Sequence, residues 1–589
     1  MIVAIMLAGC GESGKLETTS QLPAESAPTT REPSIALASV GLKSVNDSNA
    51  EAWPTELITK RVGEQLNRLK AALKAGGSLP NGLFSKKIQF EAIRPDQLET
   101  VFEDAQMLVL RANGTATRKS GVAELSRSLA PYTGFQAAFK LFGIESLTDT
   151  ARTTISVSLS NGTQQESATW ICDWTQDDPP LLKSLQVHHY ESTVFKTQGD
   201  TPERAFNDCT EAVFADVQAY EDQLAHGIDH WVARIESAFG INVSGWEGLA
   251  LGDVNSDGLD DVYVCQPGGL PNRLFIQKSD GSVFDASSFA GVDWRLQTQS
   301  ALLADLDNDG DQDLTLATTL GLIFMANDGR GTFTTQTNIL IPEAAPLGLS
   351  CADIDLDGDL DVFATCYSRR RSSAKSAILG RPIPYHDANN GGRNALFRND
   401  RNWKFTNATL ELGLDENNRR FSFAASWEDY DNDGDQDLYV ANDYGRNNLY
   451  RNDRDSDGTH RFVDVAKQAG VEDISAGMSV SWSDYNMDGH MDLYISNMWS
   501  SAGNRVTYQR QFQSKASTST LTEMRKHARG NSLFKNQGDG TFLDVSEAQG
   551  VTQGRWAWGS RFVDLNTDGW DDLLVTNGFI TQPQDSGDL

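Results

Sequence analysis

One nine-residue pattern, D-x-[DN]-x-D-G-x-x-D, occurs six times and limits what this chain can fold into more than any other feature. The clearest copy runs Asp429-Tyr430-Asp431-Asn432-Asp433-Gly434-Asp435-Gln436-Asp437 and passes at once into the apolar, β-prone run Leu438-Tyr439-Val440-Ala441. The others place the same residue types at Asp253, Asn255, Asp257 and Asp261; at Asp305, Asp307, Asp309 and Asp313; and at Asp353, Asp355, Asp357 and Asp361. Two more follow at Asp484, Asn486, Asp488 and Asp492, and at Asp564, Asn566, Asp568 and Asp572. Oxygen side chains at positions 1, 3, 5 and 9, with Gly at 6 where the backbone turns back, suit a hard cation with several oxygen ligands. Calcium is the expected ion, up to six of them, in a structural role. An EF-hand would need a carboxylate at position 12 and a helix after it. The residues there are Val264, Leu316, Ala364, Val440, Ile495 and Val575, so each loop is expected to join two β-strands.

The formal charge of -31 belongs largely to these loops, which contain 21 Asp at the four key positions. Without an ion such carboxylates repel one another. The acidic balance disfavours nucleic acid, whose phosphates need a basic surface.

The start, Met1 to Cys10, is a short apolar run ending Leu7-Ala8-Gly9-Cys10. It resembles a bacterial lipobox, which implies cleavage before Cys10, lipidation of its sulfur and a place outside the cytoplasm. Gly11 after that Cys would, by the same resemblance, favour the outer membrane. No other segment is long and apolar enough to span a bilayer. Residues 11–50 are rich in Ser, Thr, Pro, Glu and Ala and read as a disordered tether.

Residues 51–240 read as an α+β domain. Leu57, Ile58, Val62, Leu66, Leu69 and Leu73 recur with helical period after Pro54, up to Gly76-Gly77. Alternating runs flank Asn161-Gly162, a strong hairpin signal, and Leu182 to Val194 supplies a further strand. A second helix is expected from Pro202 to Leu224. The element order resembles an NTF2-type cone. His188 and His189 fall on a strand, where one would face in and the other out. Cys172 and Cys209 offer one possible disulfide, whereas Cys265, Cys351 and Cys366 read as thiols in or beside strands.

From 246 to 589 each unit has an apolar strand, the acidic loop, a second strand, and in most cases an Asn-led third strand and a fourth. Asn272-Arg-Leu-Phe275, Asn394-Ala-Leu-Phe397, Asn448-Leu449-Tyr450 and Asn531-Ser-Leu-Phe534 are examples. Four short strands per repeat point to a mainly β chain built as a β-propeller. Six blades are recognisable, seven is left open, and the last blade reads as incomplete. The loops, with Asn399-Asp400, Lys404-Phe405-Thr406 and Arg461-Phe462-Val463-Asp464-Val465, resemble FG-GAP/VCBS repeats. Within that family the chain is most similar to bacterial proteins of the cartilage-acidic-protein type. Integrin α-subunit heads carry such repeats, and the resemblance implies a calcium-bearing propeller.

Consecutive strands are antiparallel, so the connection from second to third strand lies on the face opposite the calcium loops. Two of those connections carry insertions, with Arg369, Arg370, Arg371, Lys375, Arg381 and His386 in one. The other contains Arg505, Arg510, Lys515, Arg525, Lys526 and His527. Basic loops on an acidic background predict a ligand face for a protein or an acidic glycan. The leading expectation is a binding or adhesion module without catalytic residues. The alternative is a polysaccharide lyase or hydrolase using His386 and His527, which lie in different insertions.

Overall fold

The computed structural model describes residues 4–7, 54–196, 208–235, 247–370 and 382–578, apart from 77–78, 115, 147–148, 457 and 510. Cys10, the tether 11–50, Arg371, Lys375, Arg381 and Arg510 lie outside the described residues. The chain forms two compact units, one of residues 8–202 and one of residues 1–7 with 203–589.

In the first unit the helix Pro54–Ala75 buries Val62, Leu66, Leu69 and Leu73 along one stripe, as the period requires. Leu57 falls outside that stripe and is exposed. The stripe joins one core with strands Gln136–Ser146, Thr150–Ser160, Gln164–Thr175 and Leu182–Phe195 of an eight-stranded sheet. The Asn161-Gly162 hairpin forms as expected, with Gly162 at φ 90° and the Asn161 Oδ1 accepting from the Gln164 N–H at 2.9 Å. The strand pairing shifts between Ser167 and Thr169, opposite His188 and His189, and His189 takes a left-handed φ of 50°. Both histidines are therefore exposed, where strict alternation put one inside.

The expected helix from Pro202 to Leu224 is not continuous. Its described part is two short helical turns, Thr210–Val213 and Tyr220–Leu224, followed by Ile228–Val232. Val217 and Ala219 there pack on Phe275 and Val283 of the first repeat, so the segment belongs with the repeats rather than with the α+β region. Cys172 is buried, Cys209 is exposed, and the two form no disulfide. Cys265 and Cys366 are buried thiols and Cys351 is half-buried.

The repeats fold into six successive antiparallel sheets. The first is Leu249–Gly252, Asp261–Val264, Arg273–Gln277 and Val283–Asp285; the second is Thr298–Ala304, Asp313–Thr318, Gly321–Asn327 and Phe333–Leu340. The third is Ala344–Ala352, Asp361–Arg369, Ala395–Asn399 and Phe405–Asn407; the fourth is Ser422–Glu428, Asp437–Asn442, Asn448–Arg454 and His460–Asp464. The fifth is Gly477–Ser483, Asp492–Asn497, Ser532–Asn536 and Phe542–Asp544. In the sixth, Ala557–Val563 pairs with Asp572–Asn577, along whose other edge Ala4–Leu7 runs parallel.

Hydrophobic cores lie between neighbouring sheets rather than within them. Tyr263 and Ile276 of the first sheet pack with Leu314 and Met325 of the second, and Tyr439 and Leu449 of the fourth with Ile495 and Phe534 of the fifth. A second strand covered on both faces is apolar through its middle, with its buried polar residues at the ends. All six residues of Asp437–Asn442 and of Asp492–Asn497 are accordingly buried. Each first strand packs beside the first strand of the next sheet, from Leu249–Gly252 through to Ala557–Val563.

Candidate metal centres and the opposite face

All six acidic loops adopt one backbone path. Position 6 is Gly at φ between 85° and 99°, with open space where a Cβ would stand, so glycine is there for its dihedral and not for room. Position 4 is also left-handed although it is Ser256, Asn308, Leu356, Asn432, Met487 and Thr567, with φ from 56° to 62°. For the non-Asn residues this costs roughly 1 kcal/mol or more. The position-1 carboxylate holds the turn by accepting the N–H groups of positions 5 and 6, as at Asp429 from Asp433 and Gly434, both at 3.0 Å. Asp253, Asp305, Asp353, Asp484 and Asp564 do the same in their loops. Each loop then runs straight into a strand, which excludes an EF-hand.

Carboxylate oxygens of Asp305, Asp307 and Asp313, of Asp353, Asp355 and Asp357, and of Asp429, Asp431 and Asp437 each converge within 4.8 Å, a spacing that can hold one metal ion. These three loops are Asp at positions 1, 3, 5, 7 and 9 alike, since Asp311, Asp359 and Asp435 occupy position 7. Among the described residues, every buried carboxylate oxygen without a partner lies in them: on Asp311, Asp355, Asp431 and Asp435. A buried unpaired carboxylate oxygen is costly, and a hard cation is the natural partner for four of them. The other three loops have Asn at position 3, and its amide donates within the loop: Asn255 to Asp257 at 3.0 Å, Asn486 to Asp492 at 2.6 Å and Asn566 to Asp568 at 3.1 Å.

Burial raises the position-9 carboxyls in the fifth loop as well as in the all-Asp three. Burial pushes the position-9 carboxyl of Asp437 up to about 9, with Asp431, Asp435 and Asp433 adding to the rise against the Asn452 N–H. Burial likewise takes Asp313, Asp361 and Asp492 to about 7, while two backbone N–H groups pull Asp313 and Asp361 the other way. Burial and the neighbouring loop carboxylates raise Asp435 to about 7 and Asp311 to about 6.

Sequence reasoning missed a second set of residues. The last Asn of the third strand in the second to fifth sheets, Asn327, Asn399, Asn452 and Asn536, is buried and reaches into the loop of the preceding sheet. Its amide donates to the position-2 carbonyls of Val254, Leu306, Ile354 and Tyr430, at 2.8, 2.8, 3.0 and 2.8 Å respectively. Neighbouring loops also touch directly, Asn308 donating to Asp359 at 2.6 Å and Asn432 meeting His490 at 3.3 Å.

On the other face, the Asn that opens the third strand caps the preceding connection. Asn272, Asn394 and Asn531 accept from the N–H of Gln266, Cys366 and Asn497. In the fourth sheet this part falls to Asn447, not Asn448, with Asn442 as donor at 2.8 Å. The second insertion folds into helices Ser501–Thr507 and Thr518–Arg529, N-capped by Ser500 and Ser517.

The two insertions meet. His386 Nε2 lies 3.8 Å from Glu523 of the second insertion, and the rings of Tyr385 and His527 are 5.6 Å apart. Burial and the nearby His386 lower His527 to about 4, against a bond with the Ser475 backbone, and its Nδ1 is buried without a partner. Arg446 ties the cluster together, donating to Asp387 at 3.0 Å, Glu472 at 2.6 Å and Glu523 at 3.1 Å. Arg420 adds a second bond to Asp387 at 2.8 Å. Beneath it the Tyr367 hydroxyl donates to Asp443, whose carboxyl burial pushes up to about 6.

Several cations of this face are thus neutralised by acids from other elements: Arg393 by Asp415 at 2.5 Å and Arg529 by Asp544 at 2.8 Å. Of the candidate ligand residues, Arg369 bonds the Gly391 carbonyl, Arg370 bonds the Thr319 carbonyl, Arg505 sits in the first helix of the insertion, and Arg525 lies 4.4 Å over the exposed Tyr508 ring.

The repeat architecture and its acidic loops define an FG-GAP repeat protein: the FG-GAP-like repeat model matches residues 253–316, 305–364, 429–495 and 524–575, which between them include all six loops. Cartilage acidic protein 1 from Xenopus tropicalis is 28% identical over 150 residues, 24% of this chain and 23% of that protein. The protein of the same name from Homo sapiens is 29% identical over 137 residues, 22% of this chain and 21% of its own length. The matched part is therefore under a quarter of either relative. Among solved structures, an Agrocybe aegerita lectin that recognises non-reducing terminal N-acetylglucosamine aligns at a TM-score of 0.32 and 12% identity, over 80% of this chain and 95% of its own.

Proposed function

We propose that the six sheets form a calcium-stapled β-propeller that acts as a binding or adhesion module for a protein or glycan. Three observations support the ring arrangement. First strands pack in succession, Ser481 donates to the Ser560 carbonyl at 2.7 Å between the fifth and sixth sheets, and the Phe423 and Trp558 rings of the fourth and sixth lie 5.7 Å apart. The last pair skips a sheet, as side chains do around a common axis. The α+β unit is proposed as an NTF2-like spacer or second binding module. Leu7 to Cys10 supports a lipid anchor outside the cytoplasm, at a bacterial outer membrane or cell surface, and cleavage before Cys10 would take Ala4–Leu7 from the edge of the sixth sheet.

The observation that carries the binding reading is the joined pair of insertions, which presents Tyr385 at 62% exposure and Tyr508, under Arg525, at 65%. Exposed aromatic rings with flanking cations recognise ligands without chemistry on them. A lyase or hydrolase is the second reading, favoured by the unpartnered, buried Nδ1 of His527 near His386. Arg446 already engages the Glu523 and Asp387 carboxylates that a general base would need, which supports binding over turnover.

A glycan array read with calcium and with EDTA, on the wild type and a Tyr385→Ala, Tyr508→Ala double variant, tests this. Binding that needs calcium and falls at least tenfold in the variant is expected. Binding unaltered by both changes would remove the ligand face from this surface. Product release from a bound polysaccharide, lost in His527→Ala, would establish the enzymatic reading instead.

A further inference from the structure

We infer that the ion sites of the first five loops are coupled in series through the buried third-strand asparagines, so that occupancy of one loop raises the affinity of its neighbours. The inference rests on the calcium reading above and extends it from six separate staples to a linked row. The link repeats four times. In each of the first four loops the position-2 N–H donates to the position-9 carboxylate of the same loop: Val254 to Asp261 at 3.1 Å, Leu306 to Asp313 at 2.8 Å, Ile354 to Asp361 at 3.1 Å and Tyr430 to Asp437 at 3.3 Å. The carbonyl of that same residue accepts from the side chain of Asn327, Asn399, Asn452 or Asn536 in the next sheet. The backbone N–H of that Asn then donates to the other oxygen of its own loop's position-9 carboxylate: to Asp313 at 3.0 Å, Asp361 at 2.7 Å, Asp437 at 2.8 Å and Asp492 at 2.7 Å.

One continuous path therefore runs from Asp261 to Asp492, alternating a position-9 carboxylate, a loop peptide and an asparagine, and its Asp313 and Asp437 belong to converging carboxylate groups. An ion that fixes one position-9 carboxylate fixes the Asn bonded to it, and through it the loop peptide that orients the preceding carboxylate. The ordering is then done once for two sites, which is positive coupling. Burial of the asparagines keeps water from competing for these bonds. Asp572 of the sixth loop accepts from the Leu565 N–H at 3.2 Å, but among the described residues no asparagine joins that loop to the fifth. The sixth loop, which the fifth sheet reaches through the Ser483 hydroxyl bonded to Asp571 at 2.7 Å, serves as the reference.

Hydrogen exchange of the full chain, followed loop by loop through a calcium titration from the metal-free state, tests the coupling. Asp357→Asn weakens the third site at an exposed position. The calcium midpoints of the second and fourth loops are expected to rise about fivefold or more while that of the sixth stays put. Midpoints of the second and fourth loops that do not move would overturn the inference. Asn452→Asp keeps the backbone N–H and the size but removes the amide donor to Ile354, and should raise the midpoint of the third loop although Asn452 belongs to the fourth sheet. No rise there would also overturn it. A wild type that gains no protection with calcium in any loop would instead sink the calcium reading itself.

Discussion

The side-chain amide of Asn536 donates to the backbone carbonyl of Tyr430, 106 residues earlier in the chain, at 2.8 Å, while its own N–H is held by Asp492. The same amide also reaches the Met491 carbonyl at 3.1 Å. Truncation would leave the buried Tyr430 carbonyl and the half-buried Met491 carbonyl short of a donor, each worth about 1–3 kcal/mol at full burial. Asn536→Ala should destabilise the repeat unit by about 2–4 kcal/mol in chemical denaturation. A loss below about 0.5 kcal/mol would mean water replaces the amide at no penalty.

Calcium and protons should act on stability in opposite senses. In the metal-free protein the carboxyls of Asp313, Asp361 and Asp492 sit near 7 and Asp437 near 9, all above the unfolded value of about 3.9. The native state then binds more protons than the unfolded chain between about pH 4 and pH 9, so metal-free stability falls as pH rises through that window. An ion displaces those protons, so the stabilisation it brings should grow over the same range. Melting in EDTA should be higher at pH 5.5 than at pH 8, and added calcium should raise Tm more at pH 8 than at pH 5.5. A Tm unchanged by EDTA at pH 8 would contradict the calcium prediction, and a metal-free Tm no higher at pH 5.5 than at pH 8 would contradict the proton one.

The acidic loops and the strands that follow them were legible because each is fixed by neighbours within nine residues. The asparagine links were not, although Asn399-Asp400 stood out as a phrase. Their partners lie 73, 93, 98 and 106 residues away, and insertions of unequal length remove any constant spacing. Counting arginines in the insertions overstated the free positive charge for the same reason. Asp415 and Asp544 reach Arg393 and Arg529 of the insertions only once the sheets are assembled. At His189 a shift in strand pairing defeated the two-residue alternation, which no local pattern announces.

The six loops should divide into two affinity classes. Affinity rises with the charge of the ligand set, and the second, third and fourth loops carry five Asp at alternate positions. The first, fifth and sixth have Asn at position 3 and Leu259, His490 and Trp570 at position 7. There the Asn must also break its bond within the loop before its oxygen can face an ion. Calorimetric titration should resolve three tighter ions and then weaker ones, and Asn566→Asp should tighten the last by about tenfold. One uniform class of six would count against charge as the determinant.

Arg446 should hold the two insertions together without affecting the acidic loops. Its guanidinium serves Asp387, Glu472 and Glu523, which come from the first insertion, the link between the fourth and fifth sheets, and the helix Thr518–Arg529. Arg446→Met keeps much of the bulk but leaves three half-buried carboxylates facing one another, at a cost of about 2 kcal/mol for this partly solvated group. Burial would raise Asp387, yet Arg420 and Arg446 together hold its carboxyl below the usual range. Its contribution is therefore present above about pH 4 and lost as pH falls below that. Hydrogen exchange should accelerate in residues 382–393 and 518–529 of Arg446→Met at neutral pH, with the calcium midpoints of the six loops unchanged. Arg446→Lys should recover only part of the protection, because one ammonium cannot reproduce a planar guanidinium that serves three carboxylates. Exchange unchanged in both insertions would show that they are held by packing such as the Tyr385 and His527 contact instead.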